Sequence, residues 1–377
     1  MDEPSPGHIP VLLLIDVEPD EFFVDRATPG RWPGFERGVL WTSALRTRLA
    51  TAGRPPPRFN WGFRLDSQIR DTWGRADWVL AHYRECVDEF RLHGDALGVH
   101  THLYRWSGRP AGWLIDQADP EWVLENLALS VGSFADALGR DPAFFRFGDR
   151  WMSEEALAWL DGAGVPFDLS LEPGMPALPT LHRGHPSTGS IPHQRGVPDG
   201  PYRPSRDDFR KPDTTGRTRI VEIPTTTGRM RPPRALTEDP RPRNAWAWLR
   251  YRTRPWFEVA ALYQEPERLH ALVDDALARG APYLSMTMRV DTFSKSPATG
   301  HLERAFDALL SHPAAGRFVW TTPEDLVRQV APGLLPAAPQ PGGRIQAATP
   351  AGASSSVPMI RRHSGGRRPR SDTASGE

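Results

Sequence analysis

The stretch LGVHTHLYRW, residues 97–106, sets His100 and His102 one residue apart behind a short apolar run. Strand side chains alternate between faces, so both imidazoles would leave the same side. Near the N-terminus, VLLLIDVEPD repeats that spacing with Asp16 and Glu18. Two carboxylates on one face ionise together only at a cost unless a cation or a guanidinium stands beside them. Glu18, His100 and His102 together offer two nitrogens and one carboxylate oxygen. That set suits a divalent metal, zinc foremost, and leaves a coordination position open for water.

Such residues need a scaffold that brings them together, and parallel α/β folds collect functional groups at the carboxyl ends of their strands. The sequence supplies that rhythm. VLLLIDVE is continuously apolar and reads as a strand buried on both faces. GVLWTSALRTRLATAG follows as a helix, PRFNWGFRLD as a strand ending in Arg64 and Asp66, and ADWVLAHYRECVDEFRLHG as a helix. ALGVHTH is the third strand, DPEWVLENLALSVGSFADALG a helix, and AFFRFG a strand ending in Arg146 with Asp149 beyond. SEEALAWLDGAG is a helix that Ser153 can cap, and VPFDLSLE a strand carrying Asp168 and Glu172. Residues 175–217 break the pattern with proline, glycine, histidine and arginine, and read as a long insertion over one mouth of the sheet. RTRIVEIPTTT resumes as a strand, and 229–256 reads as a basic, proline-broken irregular connection. The helix PERLHALVDDALARG, the strand PYLSMTMRVD with Arg289 and Asp291, the helix HLERAFDALLSHP, the strand GRFVWTT and the helix PEDLVRQV complete the domain.

The expected organisation is therefore a flexible N-terminus over 1–8, one α/β domain over 9–332, and a disordered tail over 333–377, too poor in apolar residues to offset the entropy of ordering. Lysine plus arginine equals aspartate plus glutamate at 46 each, so no overall field draws the chain to nucleic acid or to an anionic membrane. VLLLI is too short for a signal-peptide core or a membrane span. A single cysteine, Cys86, fits a reducing compartment, and the reading is a soluble cytoplasmic protein. Most of the fourteen tryptophans belong to the core, while Trp106, beside the histidine pair, is a candidate sugar-stacking face. PYRPSRDDF brings Tyr202 and Arg203 toward the same mouth, either as a latch or to recognise sugar or anion.

LLLIDVEPD, LGVHTHLYRW, FFRFGDRW and VPFDLSLEPG, in that order, resemble the motifs of the polysaccharide deacetylase family, the NodB-homology domain of carbohydrate esterase family 4. The resemblance covers roughly residues 9 to 330. It implies a distorted (β/α)7-type barrel that removes acetyl groups from N-acetylated sugars with a divalent metal, often zinc. By position, Asp16 matches the general base toward the attacking water, Glu18 and His100 match metal ligands, and Arg146 matches the arginine that orients the base. Asp168 matches an aspartate beside the substrate groove, where Arg64, Asp66, Trp106, Asp149, Tyr202 and Arg203 are further substrate-binding candidates. The family's second histidine would fall at Tyr104; here His102 stands two residues earlier and takes over as ligand, or otherwise as an acid. Arg289 lies near the place of the family's acid histidine. A guanidinium does not release its proton, so Arg289 is expected to stabilise an oxyanion. The expected activity is metal-dependent removal of an acyl group from a carbohydrate-containing small molecule or glycan precursor. The alternative is a catalytically silent barrel that binds a glycan or protein. A metallohydrolase with H-x-H on the first barrel strand fits less well, because here the pair falls on the third.

Overall fold

In the computed structural model, which describes residues 7–108, 111–182, 184–230 and 256–335, the first apolar run forms β1 (Ile9–Val17), buried at every position. It is followed by α1 (Pro33–Thr51), β2 (Asn60–Arg64), α2 (Ser67–Trp73), α3 (Trp78–His82), α4 (Arg84–Leu92) and β3 (Ala96–Thr101). Next come β4 (Tyr104–Gly108), β5 (Ala111–Asp116), α5 (Pro120–Leu138), β6 (Phe145–Phe147), α6 (Glu154–Gly162) and β7 (Phe167–Asp168). Short strands β8 (Ser187–Thr188), β9 (Val221–Glu222), β10 (Thr227–Met230) and β11 (Trp256–Val259) precede α7 (Pro266–Ala278) and β12 (Leu284–Arg289). The described part ends with α8 (Ser296–Ser311), β13 (Phe318–Trp320) and α9 (Pro323–Val330).

Seven strands make one curled parallel sheet in the order β12, β1, β2, β3, β6, β7, β9, with β13 added beside the start of β1. Between β9 and β12 the sheet is stitched by irregular chain: Thr226 N–H donates to Ser285 O, Ala260 N–H to Thr226 O and Leu262 N–H to Thr287 O. This is the expected α/β architecture, distorted where β7 and β9 shrink to two residues each.

Alternation decides which residues look inward. Val11, Leu13 and Ile15 of β1 join the helix-facing core, as do Leu97 and Val99 of β3 and Met286 and Met288 of β12. Leu12 and Leu14 belong to a second, interior core with Phe144, Phe167, Val221 and Tyr283, which Leu326 and Val327 of α9 help to form. Asp16 and Glu18 continue the Leu12–Leu14 face, so that face is apolar toward the amino ends of the strands and ionisable at their carboxyl ends. Gly98 keeps this face clear in β3, since a Cβ there would lie 2.5 Å from Phe144 O. Capping matches the sequence: Ser153 Oγ accepts from Ala156 N–H, and Asp119 and Asp66 cap α5 and α2.

Several expectations need correction. The helix expected after residue 75 is two, α3 and α4, broken at Tyr83, whose hydroxyl accepts from Trp32 N–H and donates to Glu36 at the start of α1. The residues after the histidine pair form the antiparallel strands β4 and β5, with β8 of the insertion added at their edge. The ends of the 229–256 connection are also strands, because β10 pairs antiparallel with β11; residues 231–255 lie outside the described residues. The tail does not start at 333: Pro332–Leu334 forms a helical turn, and Leu334 and Leu335 pack on the interior core. The rest of the expected tail, and most of the expected flexible N-terminus, lie outside the described residues. No described helix is long and apolar enough to cross a membrane.

Candidate metal centre

Register puts the chemistry at one level. Asp16 pairs with Arg289 on one side and Gly62 on the other, Arg64 with His100, and His100 with Arg146. Around the resulting cluster, Asp16, Glu18, His100 and His102 are all buried. His100 Nε2 lies 3.1 Å from His102 Nε2, and His102 Nε2 lies 3.4 Å from Glu18 Oε2. The three donor atoms offered by Glu18, His100 and His102 all fall within 4.8 Å of one another.

The donor set fits a metal ion on two grounds. Zinc–nitrogen and zinc–oxygen bonds of about 2.0–2.1 Å in a tetrahedron set neighbouring donors about 3.3 Å apart, close to the two shorter spacings here. Glu18 also divides its oxygens: Oε1 is 2.7 Å from Arg289 Nε, while Oε2, buried, has no hydrogen-bond partner and turns toward His102. A buried carboxylate oxygen left unmatched is costly unless a cation or proton reaches it.

Burial and the neighbouring charges set the protonation states, and those of His100 and Glu18 suit ligation. Burial, with His102 beside it, pushes His100 well below the ordinary imidazole value, so it is a neutral donor. Burial opposes ionisation of Glu18, yet Arg289 and His102 hold its carboxyl well below the usual range. Burial and Arg64 pull His102 down, but Asp149 and Glu18 outweigh them and lift it. Burial lifts Asp16 above the ordinary aspartate value against the pull of Arg146, whose Nε lies 3.2 Å from Asp16 Oδ1. Arg146 is itself fixed, donating from Nη1 to Leu169 O at 2.7 Å.

The other expected residues divide by placement. Arg64 is wholly buried: it donates to Asp66 and Gln68, and Nη1 stands 3.7 Å from Glu18 Oε2. Asp66 is also fully buried, capping α2 and accepting from His102 N–H at 3.0 Å. Both brace the histidine strand, and as placed neither is open to a substrate. Arg289 is held by Glu18 and Asp291 and lies 4.0 Å under the Phe22 ring. Asp149 stands 3.6 Å from His102 Nδ1 and 3.0 Å from His182 Nε2. Trp106 packs edge-on against Trp113, with the Arg26 guanidinium over its ring.

Three substrate-binding expectations are placed elsewhere. Asp168 is fully buried, accepts from Ser170 Oγ at 2.7 Å and shares a hydrogen bond with Glu222. Tyr202 is buried, with its hydroxyl donating to Phe209 O at 2.6 Å, and its backbone bridges to Glu222. Arg203 reaches Leu334 O. PYRPSRDDF is thus a latch, with Arg206 paired to Asp161 at 2.6 Å. Tyr104 is not part of the three-residue donor group; its hydroxyl meets His182 Nε2 at 2.8 Å.

Sequence reading gave Glu172 no role and passed over Tyr263. Glu172 stands 3.9 Å from Arg146 and 3.8 Å from Arg150. Tyr263 follows the segment stitched to β12 and exposes 46 % of its surface, its phenol in the field of Glu172, Arg289, Arg146 and Asp16. That segment is too irregular for a periodicity signal. The pairing of Ala261 with Thr287 is what reveals it as a strand end.

Fold and site together define a parallel α/β barrel with a buried two-histidine, one-carboxylate cluster at the carboxyl ends of its strands. No family model and no curated protein matches the chain. Among solved structures, a protein assigned as a polysaccharide deacetylase from Mycobacterium smegmatis aligns over 90 % of this chain and 97 % of its own, at 11 % identity and a TM-score of 0.45. One so assigned from Pseudomonas aeruginosa PAO1 aligns over 87 % and 94 %, at 14 % identity and a TM-score of 0.46. A 4-alpha-glucanotransferase from Thermococcus litoralis aligns over 85 % and 38 %, at 12 % identity and a TM-score of 0.41. The chemistry must be read from the side chains.

Proposed function

We propose that the chain is a metal-dependent hydrolase that removes an acyl group, acetyl foremost, from an amino sugar or another carbohydrate-containing small molecule. The observation that carries this reading is the convergence of Glu18 Oε2, His100 Nε2 and His102 Nε2 beside a carboxylate that is not part of that donor group. A divalent ion there, zinc by the donor set, would supply Lewis-acid polarisation of the scissile carbonyl. Asp16 is the base. Its Oδ1 lacks a hydrogen-bond partner, Arg146 fixes its direction, and its raised affinity for a proton suits it to take one from water and return it to the departing amine. Arg289 keeps Glu18 aimed, and the Tyr263 phenol lies in the field of Asp16 and Arg289. With one cysteine in the sequence, the proposal extends to a reducing, cytoplasmic setting and a soluble substrate.

The test compares wild type with Asp16→Asn on a panel of N-acetylated and O-acetylated sugars, with metal content measured on both. The expected result is retained metal and turnover lowered by roughly 10²–10⁴-fold. The second reading, a silent barrel that binds a glycan or a protein, is favoured by the burial of the cluster, where His100 is only 1 % exposed. Metal retained with no turnover in either protein would select it.

A further inference from the structure

The reading of Glu18, His100 and His102 as a metal centre raises the question of what makes His102 a ligand through Nε2, and the following rests on that reading. An imidazole offers a lone pair on one nitrogen only when its proton sits on the other, and the partner of that other nitrogen decides which. His102 turns Nε2 to Glu18 and His100, and Nδ1 to Asp149 Oδ2 at 3.6 Å. Nδ1 is buried and has no hydrogen-bond partner among the described residues, so the Asp149 carboxylate faces it at ion-pair distance.

Asp149 is placed there against backbone preference. It has φ 56°, and Arg150 after it has φ 50°; these are the only non-glycine residues with positive φ among those described. A strained residue persists where its surroundings over-determine it, most often at a site of function. Here the surroundings are specific. Gly148 brings the turn flush against the His102 ring, with space for no Cβ, and the second oxygen of Asp149 meets His182 Nε2 at 3.0 Å. His182 in turn rests on the hydroxyl of wholly buried Tyr104 at 2.8 Å.

We infer that Asp149 is the positioning residue of the centre: it accepts the Nδ1 proton of His102 and so fixes the Nε2 lone pair toward the ion, with His182 and Tyr104 bracing its carboxylate. A different use of the same atoms is a second cation between His102, Asp149 and His182. One feature weighs against it: it would need the Nδ1 lone pair of His102 as well as that of Nε2.

The test uses the full chain, zinc as the probe, a competing chromogenic chelator and ¹⁵N spectra of the imidazoles in metal-free protein, recorded at a pH high enough for the His102 ring to be neutral. Wild type should bind one ion and show His102 protonated on Nδ1. Asp149→Asn, whose amide can turn an N–H toward Nδ1, should move the proton to Nε2 and weaken zinc by about 10–100-fold, with the unfolding midpoint checked on the same sample. Zinc affinity and tautomer unchanged in Asp149→Asn would overturn the inference, as would two ions in wild type of which Asp149→Asn loses one. If Asp149→Asn does not fold, the wild-type spectrum decides: an Nε2–H tautomer for His102 refutes the role. Wild type that binds no zinc removes the metal reading and this inference with it, whereas zinc bound equally by both proteins removes the inference alone.

Discussion

Gly148→Ala should disable metal binding with the smallest possible change, a methyl group placed outside the ligand set. A Cβ at Gly148 would lie 2.3 Å from His102 Cε1 and Nε2 and 2.5 Å from Cδ2. Ordinary carbon contacts need about 3.5 Å, so ring and turn must separate by about 1 Å. The His102 backbone cannot yield freely, because Asp66 accepts from its N–H at 3.0 Å and Asn126 donates to its carbonyl at 2.9 Å. The turn is tied as well, through Phe147 N–H to Ser170 Oγ at 2.8 Å. The ring is the part left to move. A ligand displaced by that much falls well outside the tolerance of about 0.2 Å on a zinc–nitrogen bond. The expected loss of zinc affinity is at least about 100-fold, with about 1–3 kcal/mol of destabilisation from overpacking. Competition titration against a chromogenic chelator reads the affinity, and denaturant unfolding reads the stability. Gly132→Ala is the control: Gly132 lies inside α5 with nothing within 4 Å of an added Cβ, so it should stabilise by about 0.4–1 kcal/mol and leave affinity unchanged. A folded Gly148→Ala protein that binds zinc within a few-fold of wild type would refute the placement of His102 in the centre.

Two further outcomes test the electrostatics outside the centre. Asp95 is buried and accepts from Arg46 at 2.6 Å, Phe59 N–H at 3.0 Å and Trp61 Nε1 at 2.8 Å, so Arg46→Met should strand a buried charge and cost about 3–5 kcal/mol in urea unfolding; a loss below about 1 kcal/mol would show the pair to be dispensable. Burial and the neighbouring Asp168 push the Glu222 carboxyl well above its ordinary value of 4.5, so the folded chain keeps a proton that the unfolded chain has released above that value. Stability then falls as pH rises from about 4.5 toward the folded value, by up to about 1.4 kcal/mol per pH unit. Glu222→Gln keeps a hydrogen to donate to Asp168 and should flatten that slope, and equal slopes in the two proteins would contradict a shared proton.

The strands were legible because a parallel sheet buried on both faces demands continuous apolar runs, as at the start of the first and third strands, while the twelfth, LSMTMR, alternates Leu, Met and Met with small hydroxyl residues. The site was legible for a related reason: a charged residue directly after an apolar run marks the end of a strand, which is how Asp16, Arg64, His100, Arg146 and Arg289 stand out. What periodicity cannot carry is the path of irregular chain. Tyr104 and His182 are 78 residues apart yet share a hydrogen bond, and Tyr202 looks from sequence as though it crosses the mouth when it is a buried bridge to Glu222. Asp149 left a faint trace, since aspartate tolerates the left-handed region better than most residues, but nothing local announces that its two oxygens reach two different imidazoles.

Buried carboxylates alone would be weak grounds for a metal, because this centre supplies its own counter-charges. Asp16 faces Arg146, Glu18 faces Arg289 and Arg64, and Glu172 lies between Arg146 and Arg150. A cluster so matched can persist without an ion, which is why the silent reading survives the charge balance. The histidines are what favour an ion. His100 is held neutral by burial, and its Nε2 is directed at a second imidazole nitrogen 3.1 Å away, beside a carboxylate oxygen that no guanidinium has claimed as a hydrogen-bond partner. A proton shared between the two rings accounts for their contact but leaves that oxygen without a partner; a coordinated cation would match all three donors.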